Sequence, residues 1–304
     1  MHLLNRRHAV LVWAVLLACV VFAFRSGSPG VAYQVPPKAT PTPAAVDTSS
    51  RVTPRDAGEY DTYINALNIP DPVRKAAAME AFVANYPNSS IKTEALEQAM
   101  GAYQQSGNTA KVVDTANRLL SLDRSNVHAL ALLTYVKRNE AAHGSAGAIP
   151  ELQSDAARGI GALTGWTKPQ GMSSGDFGRQ REQMSAIFEG GLGFVAFLGK
   201  DYAGAREHYL RSVRADPNNL QDVYQLGLAQ LQLNPIDVAG FWYIAKAWTL
   251  AGAQKNPAAQ QTIDTYAKAK YFSYHGGADG WDAILENARA NAAPPADFAV
   301  TAAH

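Results

Sequence analysis

The apolar positions of this chain recur at helical spacing almost from end to end, and the stretch 192–219 is the clearest case. Small residues (Gly193, Ala196, Ala205) stand where two helices would touch. Large ones (Leu192, Phe197, Tyr202, Tyr209, Val213) fill the space between, and Pro217 stops the second helix. Three- and four-residue spacing of this kind predicts paired amphipathic helices rather than strands. Similar stripes run through Tyr60, Tyr63, Ile64 and Leu67, through Ala76, Met79, Phe82 and Val83, and through Leu96, Ala99, Met100 and Tyr103. Val112, Ala116, Leu119 and Leu120 continue the series after the turn Ser106–Gly107–Asn108. Asp71–Pro72 opens one helix, and Tyr86–Pro87–Asn88–Ser89 closes it.

Residues 127–136 begin a further unit, which the sequence interrupts twice. Residues 143–150 are rich in Gly and Ala and read as a loop longer than an ordinary turn. A stripe then resumes through Leu152, Ala156, Ile160, Leu163 and Trp166 before a second break at 168–173, after which Ser174 or Asp176 is placed to cap the next helix. Beyond 219, Val223, Leu226 and Gly227 start another pair. Its second helix carries Phe241, Trp242, Tyr243 and Trp248. Since 3.6 residues per turn spreads these four around the helix, Trp281 or the C-terminal tail is expected to cover those that do not face inward. A helix through Ile263, Tyr266, Ala267 and Tyr271, with Gln260, Gln261, Asp264 and Lys268 on its polar side, reads as the cap of the array. Tyr274–His275–Gly276–Gly277 ends it, and a last short helix holds Trp281, Ile284 and Leu285.

The order of small and large residues in 192–219 resembles the tetratricopeptide (TPR) repeat, a helix–turn–helix unit of about 34 residues. Counted back from Pro217, Leu192, Gly193, Ala205 and Tyr209 fall on that family's packing positions, and Tyr103, Ala116 and Leu119 do the same in an earlier unit. Several local phrases resemble a group of exported TPR proteins common in acidobacteria. They are Glu59–Tyr60 with Tyr86–Pro87–Asn88–Ser89, the run Gly240–Phe241–Trp242–Tyr243–Ile244–Ala245, the turn Tyr274–His275–Gly276, and Pro294 to Phe298. The resemblance covers about residues 57–300 and implies an all-α, TPR-like solenoid with an interrupted central repeat and C-terminal capping helices. It also implies export, and no particular chemistry.

The N-terminus supplies the address. Residues 1–25 join a basic start (His2, Arg6, Arg7, His8) to an apolar run of 16 residues, 9–24, followed by Arg25. This is a signal peptide or signal anchor; the run is slightly short for a spanning helix. Three outcomes stand open: cleavage after Ala23, lipidation at Cys19 within Leu16–Leu17–Ala18–Cys19, or an uncleaved anchor with its arginines inside. Residues 26–56, rich in Pro, Ser and Thr, read as a disordered linker. The domain plan is therefore 1–25 signal or anchor, 26–56 linker, 57–290 helical repeat domain and 291–304 extended tail.

Charge adds an exclusion. The net charge is +1. Without Arg6, Arg7 and Arg25 the remainder holds 24 basic and 26 acidic residues, a net of −2. Nucleic-acid binding needs a basic footprint and is not expected. With Cys19 the only cysteine, neither an intramolecular disulfide nor a cysteine-cluster metal site can form. Phosphate-loop, HExxH and nucleophile-elbow signatures are absent from the sequence. Gly190–Gly191–Leu192–Gly193 falls where close helix packing needs small residues. No histidine shows ligand spacing, and His275, beside Gly276, is the one that invites attention. No catalytic residue, cofactor or metal is expected.

The expected function is a non-catalytic scaffold of the cell envelope, exported or anchored, that binds a protein segment in the groove of the array. Helix positions not used for packing would carry specificity: Gln98, Tyr103, Gln104, Lys200, Tyr224 and Gln225, with a wholly structural role for Tyr103 as the alternative. The alternative is a small-ligand carrier or enzyme with its site in the insertion 143–175 or beside the aromatic helix 241–248.

Overall fold

A computed structural model describes residues 57–169 and 171–303. The signal or anchor segment, Cys19 and the linker 26–56 lie outside the described residues. Among the described residues the chain is all-α, with twelve helices. These are α1 (Ala57–Leu67), α2 (Pro72–Asn85), α3 (Lys92–Gln105), α4 (Thr109–Leu122), α5 (Val127–Ala142) and α6 (Ala148–Gly165). They continue as α7 (Ser174–Leu198), α8 (Tyr202–Ala215), α9 (Leu220–Gln230), α10 (Ala239–Ala253), α11 (Pro257–His275) and α12 (Trp281–Ala290). None of them is long and apolar enough to cross a membrane.

The helices form two compact units, one ending at Leu122 and one starting at Asp123. In the first, each helix packs on the next. Asp71 caps α2 by accepting from the Arg74 N–H at 2.8 Å, and Pro72 follows where a missing N–H costs nothing. Tyr63, Phe82 and Tyr86 stack at 5.1–5.6 Å between ring centres. The Tyr63 hydroxyl donates to Glu94 at 2.8 Å, and Ser89 donates to the buried Glu59 at 2.5 Å. The unit thus closes on an aromatic core flanked by these two carboxylate contacts.

In the second unit α5 packs on α6, α6 on α7, α7 on α8, and so on to α11, while α12 returns to α10. Glycines set the distances along α7. A Cβ on Gly191 would stand 2.8 Å from Thr134 of α5 and 3.2 Å from Leu152 of α6. One on Gly193 would stand 2.9 Å from the Tyr209 ring of α8. One on Gly190 would stand 2.3 Å from Asp222 of α9. The glycine-rich run therefore sits among four helices, as close packing demands and as a phosphate loop would not.

Two expectations need correction. The stretch 143–150 is no long loop: a short turn ends at Gly147 and α6 begins at Ala148, with Pro150 tolerated because the first helical turn has no intrahelical use for its N–H. The break lies only at 166–173, and Ser173, rather than Ser174 or Asp176, caps α7 by accepting from the Asp176 N–H at 3.0 Å.

The aromatic helix α10 is buried nearly all round. Phe241 meets Tyr271 and Tyr274 of α11, each at 5.4 Å. Trp242 donates from Nε1 to Asn287 of α12 at 2.8 Å, and Trp248 is half-buried. Trp281 packs on Tyr271 at 5.3 Å. The cover comes from α11, α12 and the C-terminal tail, whose Phe298 and Val300 pack on the same cluster.

Candidate functional site

Two kinds of polar group stand apart in this fold: half-exposed side chains on helix faces and a charged cluster inside the second unit. In the first unit, Gln98, Tyr103 and Gln104 lie half-exposed on α3. Burial, then the Glu80 carboxylate, pushes the Tyr103 hydroxyl above its ordinary value, with Arg118 acting against them. Arg118 is itself held by Glu80 at 2.8 and 2.9 Å. Tyr103 thus presents an apolar ring and a protonated hydroxyl beside the Glu80–Arg118 ion pair.

In the second unit, Lys200 is exposed in the turn between α7 and α8, in a left-handed conformation at φ 63°. Tyr224 and Gln225 are not surface residues: each is 1 % exposed. Tyr224 packs edge-on against Tyr266 at 6.1 Å, whose own hydroxyl burial pushes up to about 12. Helix α9 touches α7, α8 and α10, so no side of it is left for a partner. Both residues drop out of the candidate face.

The charged cluster escaped sequence reasoning. Arg138 of α5 donates to Asp222 of α9 at 2.5 Å, and the Asp222 side chain has no exposure. The Ser212 hydroxyl lies 2.5 Å from Asp222 Oδ2 and 3.1 Å from the Ala186 carbonyl. It has one proton, and the carboxylate is the closer and charged acceptor. Asn219 donates from Nδ2 to Oδ2 at 3.2 Å and caps α9 through the Asp222 N–H at 3.1 Å. Asp222 therefore sits in the first turn of α9, where the helix dipole favours an anion. Burial disfavours the Arg138 charge, but Asp222 outweighs it and the guanidinium is held above its ordinary value. The Arg138 guanidinium also stands over the Phe194 ring at 5.7 Å. The Asp222 and Ser212 side chains are sealed from solvent and bonded to one another.

Nearby, Glu189 of α7 accepts from His208 Nδ1 at 2.7 Å and pairs with Arg211 Nε at 2.9 Å, both on α8. Burial pushes the Glu189 carboxyl up, but the bonds from His208 and Arg211 win, and it is held below the usual carboxylate range. A depressed carboxylate stabilises the fold above its unfolded pKa, about 4.3, and that contribution vanishes as pH falls through the folded value. Folding stability should therefore decline from about pH 5 downward, and Glu189→Gln should flatten part of that decline. Chemical denaturation of both chains between pH 3 and pH 7 measures it. Equal slopes would remove Glu189 from the account. Asp176 and Glu207 are also depressed, by Ser173 and Arg206 respectively, so some slope should survive the substitution.

Among the described residues the other histidines find plain partners: His143 Nδ1 the Asn139 carbonyl at 2.8 Å, and His275 Nδ1 the Thr301 carbonyl at 2.8 Å. His128 lies 3.0 Å from Gln180 Nε2 and edge-on to Trp166. Among the described residues no group of three His, Cys, Asp or Glu side chains is placed to hold a metal ion.

No protein-family model and no curated protein matches this chain.

Proposed function

We propose that this protein is a non-catalytic protein-interaction scaffold of the bacterial cell envelope, built as a TPR-like array and placed there by its N-terminal segment. The observation that carries the reading is the small-against-large interlock of successive helices: Gly193 under the Tyr209 ring, and Gly227 against Gly240 and Ile244. These are packing contacts that a TPR unit uses to hold two helices together while leaving its remaining positions to bind. The partner is a protein segment, extended or helical, that lies on side chains not spent on packing. With Tyr224 and Gln225 buried, the candidate contacts narrow to Gln98, Tyr103 and Gln104 on α3, and to Lys200 in the second unit.

The test is capture of partners from envelope extracts by the full-length chain and by a Gln98→Ala, Tyr103→Ala, Gln104→Ala variant. A partner retained by the first and lost by the second, with helical content unchanged, supports the scaffold. A bound small molecule in place of any protein, or a partner indifferent to the α3 substitutions, counts against it.

A further inference from the structure

We propose that the C-terminal tail is a ligand held in cis, and that the surface beneath it, at the C-terminal end of α11 and on the apolar cluster beside it, is a docking site for extended partner segments with apolar side chains at two alternate positions. This goes beyond the scaffold reading, because the site lies at the end of the second unit and uses none of the α3 residues. After α12 the chain turns, with the Phe298 N–H bonded to the Pro295 carbonyl at 3.0 Å, and its last residues reach the C-terminal end of α11. Phe298 and Val300 are half-buried and pack on the cluster that contains Phe241, Tyr271 and Trp281, while Ala299 and Thr301 face solvent. That alternation is the period of an extended strand.

Two polar contacts fix its register. His275 Nδ1 donates to the Thr301 carbonyl at 2.8 Å, and the Ala303 N–H donates to the Tyr274 carbonyl at 2.7 Å, at the end of α11 where helix carbonyls lack partners. Gly276 makes the approach possible. It holds φ 90° as the helix ends, and a Cβ there would stand 3.0 Å from the Ala303 side chain.

The site thus reads a peptide backbone and two apolar side chains, and no polar side chain of the tail takes part in either anchoring bond. Recognition of that kind depends on pattern rather than on one sequence, so a partner with the same alternation would satisfy it. The tail itself is weakly held. Two half-buried side chains and two polar contacts oppose the ordering of a ten-residue segment, and 299 and 301–303 remain exposed. Tethering fills such a site because the linked segment is present at an effective concentration in the millimolar range. A free segment of the same pattern competes once it is concentrated or better matched.

The probe is a fluorescent peptide of residues 294–303, titrated against the full-length chain and against full-length Phe298→Asp/Val300→Asp, whose own tail cannot seat. The double variant should bind the peptide at least about tenfold more tightly than the unmodified chain, because the cis competitor is gone. A peptide carrying the same two aspartates should not bind. Hydrogen exchange on the unmodified chain gives a second readout: millimolar peptide should abolish protection of the Ala303 amide. A double variant that melts cooperatively yet binds no peptide overturns the proposal. So does an Ala303 amide whose protection survives peptide excess, which also decides the matter if the variant fails to fold. Neither readout involves a cellular partner, so failure here and failure of the scaffold reading are separable.

Discussion

Asp222→Ala should cost about 3–5 kcal/mol of folding stability, the usual penalty for removing one member of a buried ion pair. The reason is what remains. Arg138 would keep its charge with its nearest counter-ion gone, while Ser212 and Asn219 would lose the acceptor they share. The Asp222 side chain is fully buried and that of Arg138 is 11 % exposed, so water cannot readily replace the carboxylate. Guanidinium denaturation of both chains at pH 7 measures the difference. A loss below about 1 kcal/mol, the level of an exposed pair, would show that the cluster is solvated in solution. Replacing both members by apolar residues, Arg138→Met with Asp222→Leu, should be far milder than either single change, since no orphan charge is left.

Gly227→Ala should also destabilise, although the same substitution elsewhere would stabilise. In a helix interior, glycine to alanine gains about 1 kcal/mol from propensity alone. At Gly227 the added methyl would stand 2.9 Å from the Gly240 carbonyl oxygen and 2.9 Å from Ile244. The first of these is backbone, so α9 and α10 would have to separate, at a cost of about 1–3 kcal/mol typical of overpacking. Gly161 supplies the control. It lies in α6, is exposed, and has nothing within 4 Å of its would-be Cβ. Gly161→Ala should stabilise by several tenths of a kcal/mol up to about 1 kcal/mol. Thermal melts of the two variants should therefore shift in opposite directions. A Gly227→Ala chain more stable than the parent would mean that α9 and α10 are not in close contact.

These two substitutions also separate what was legible in the chain from what was not. The Gly227 contact was legible in kind: a small residue on a helical stripe, facing another helix with Gly240 in its first turn. The Asp222 contact was not. Arg138 and Asp222 lie 84 positions apart, and nothing near either one signals the other. The same gap explains Tyr224 and Gln225. Polar or amphipathic residues off the apolar stripe read as surface, and for a helix packed on one side they would be. Helix α9 is packed on several sides, and its buried set includes Gln221, Asp222, Gln225 and Gln230 beside Leu220 and Val223. Periodicity reports one apolar face; it carries no information on how many neighbours the helix will have.

By itself, the amino-acid order determined the helical periods, the small–large partners at helix contacts, the cap at Asp71 and the cover required over Phe241 and Trp242. All of these are set by spacing along one helix or by a side chain's size, which are local quantities. Only the tertiary structure decided that α6 starts directly after a short turn, that Asp222 and Arg138 share a buried site, that α9 has no free face, and that the tail is tied to the end of α11. Each of those depends on which distant segment arrives to supply a counter-charge, a hydrogen-bond partner or a covering surface, and burial of a polar group becomes affordable only once that partner is in place.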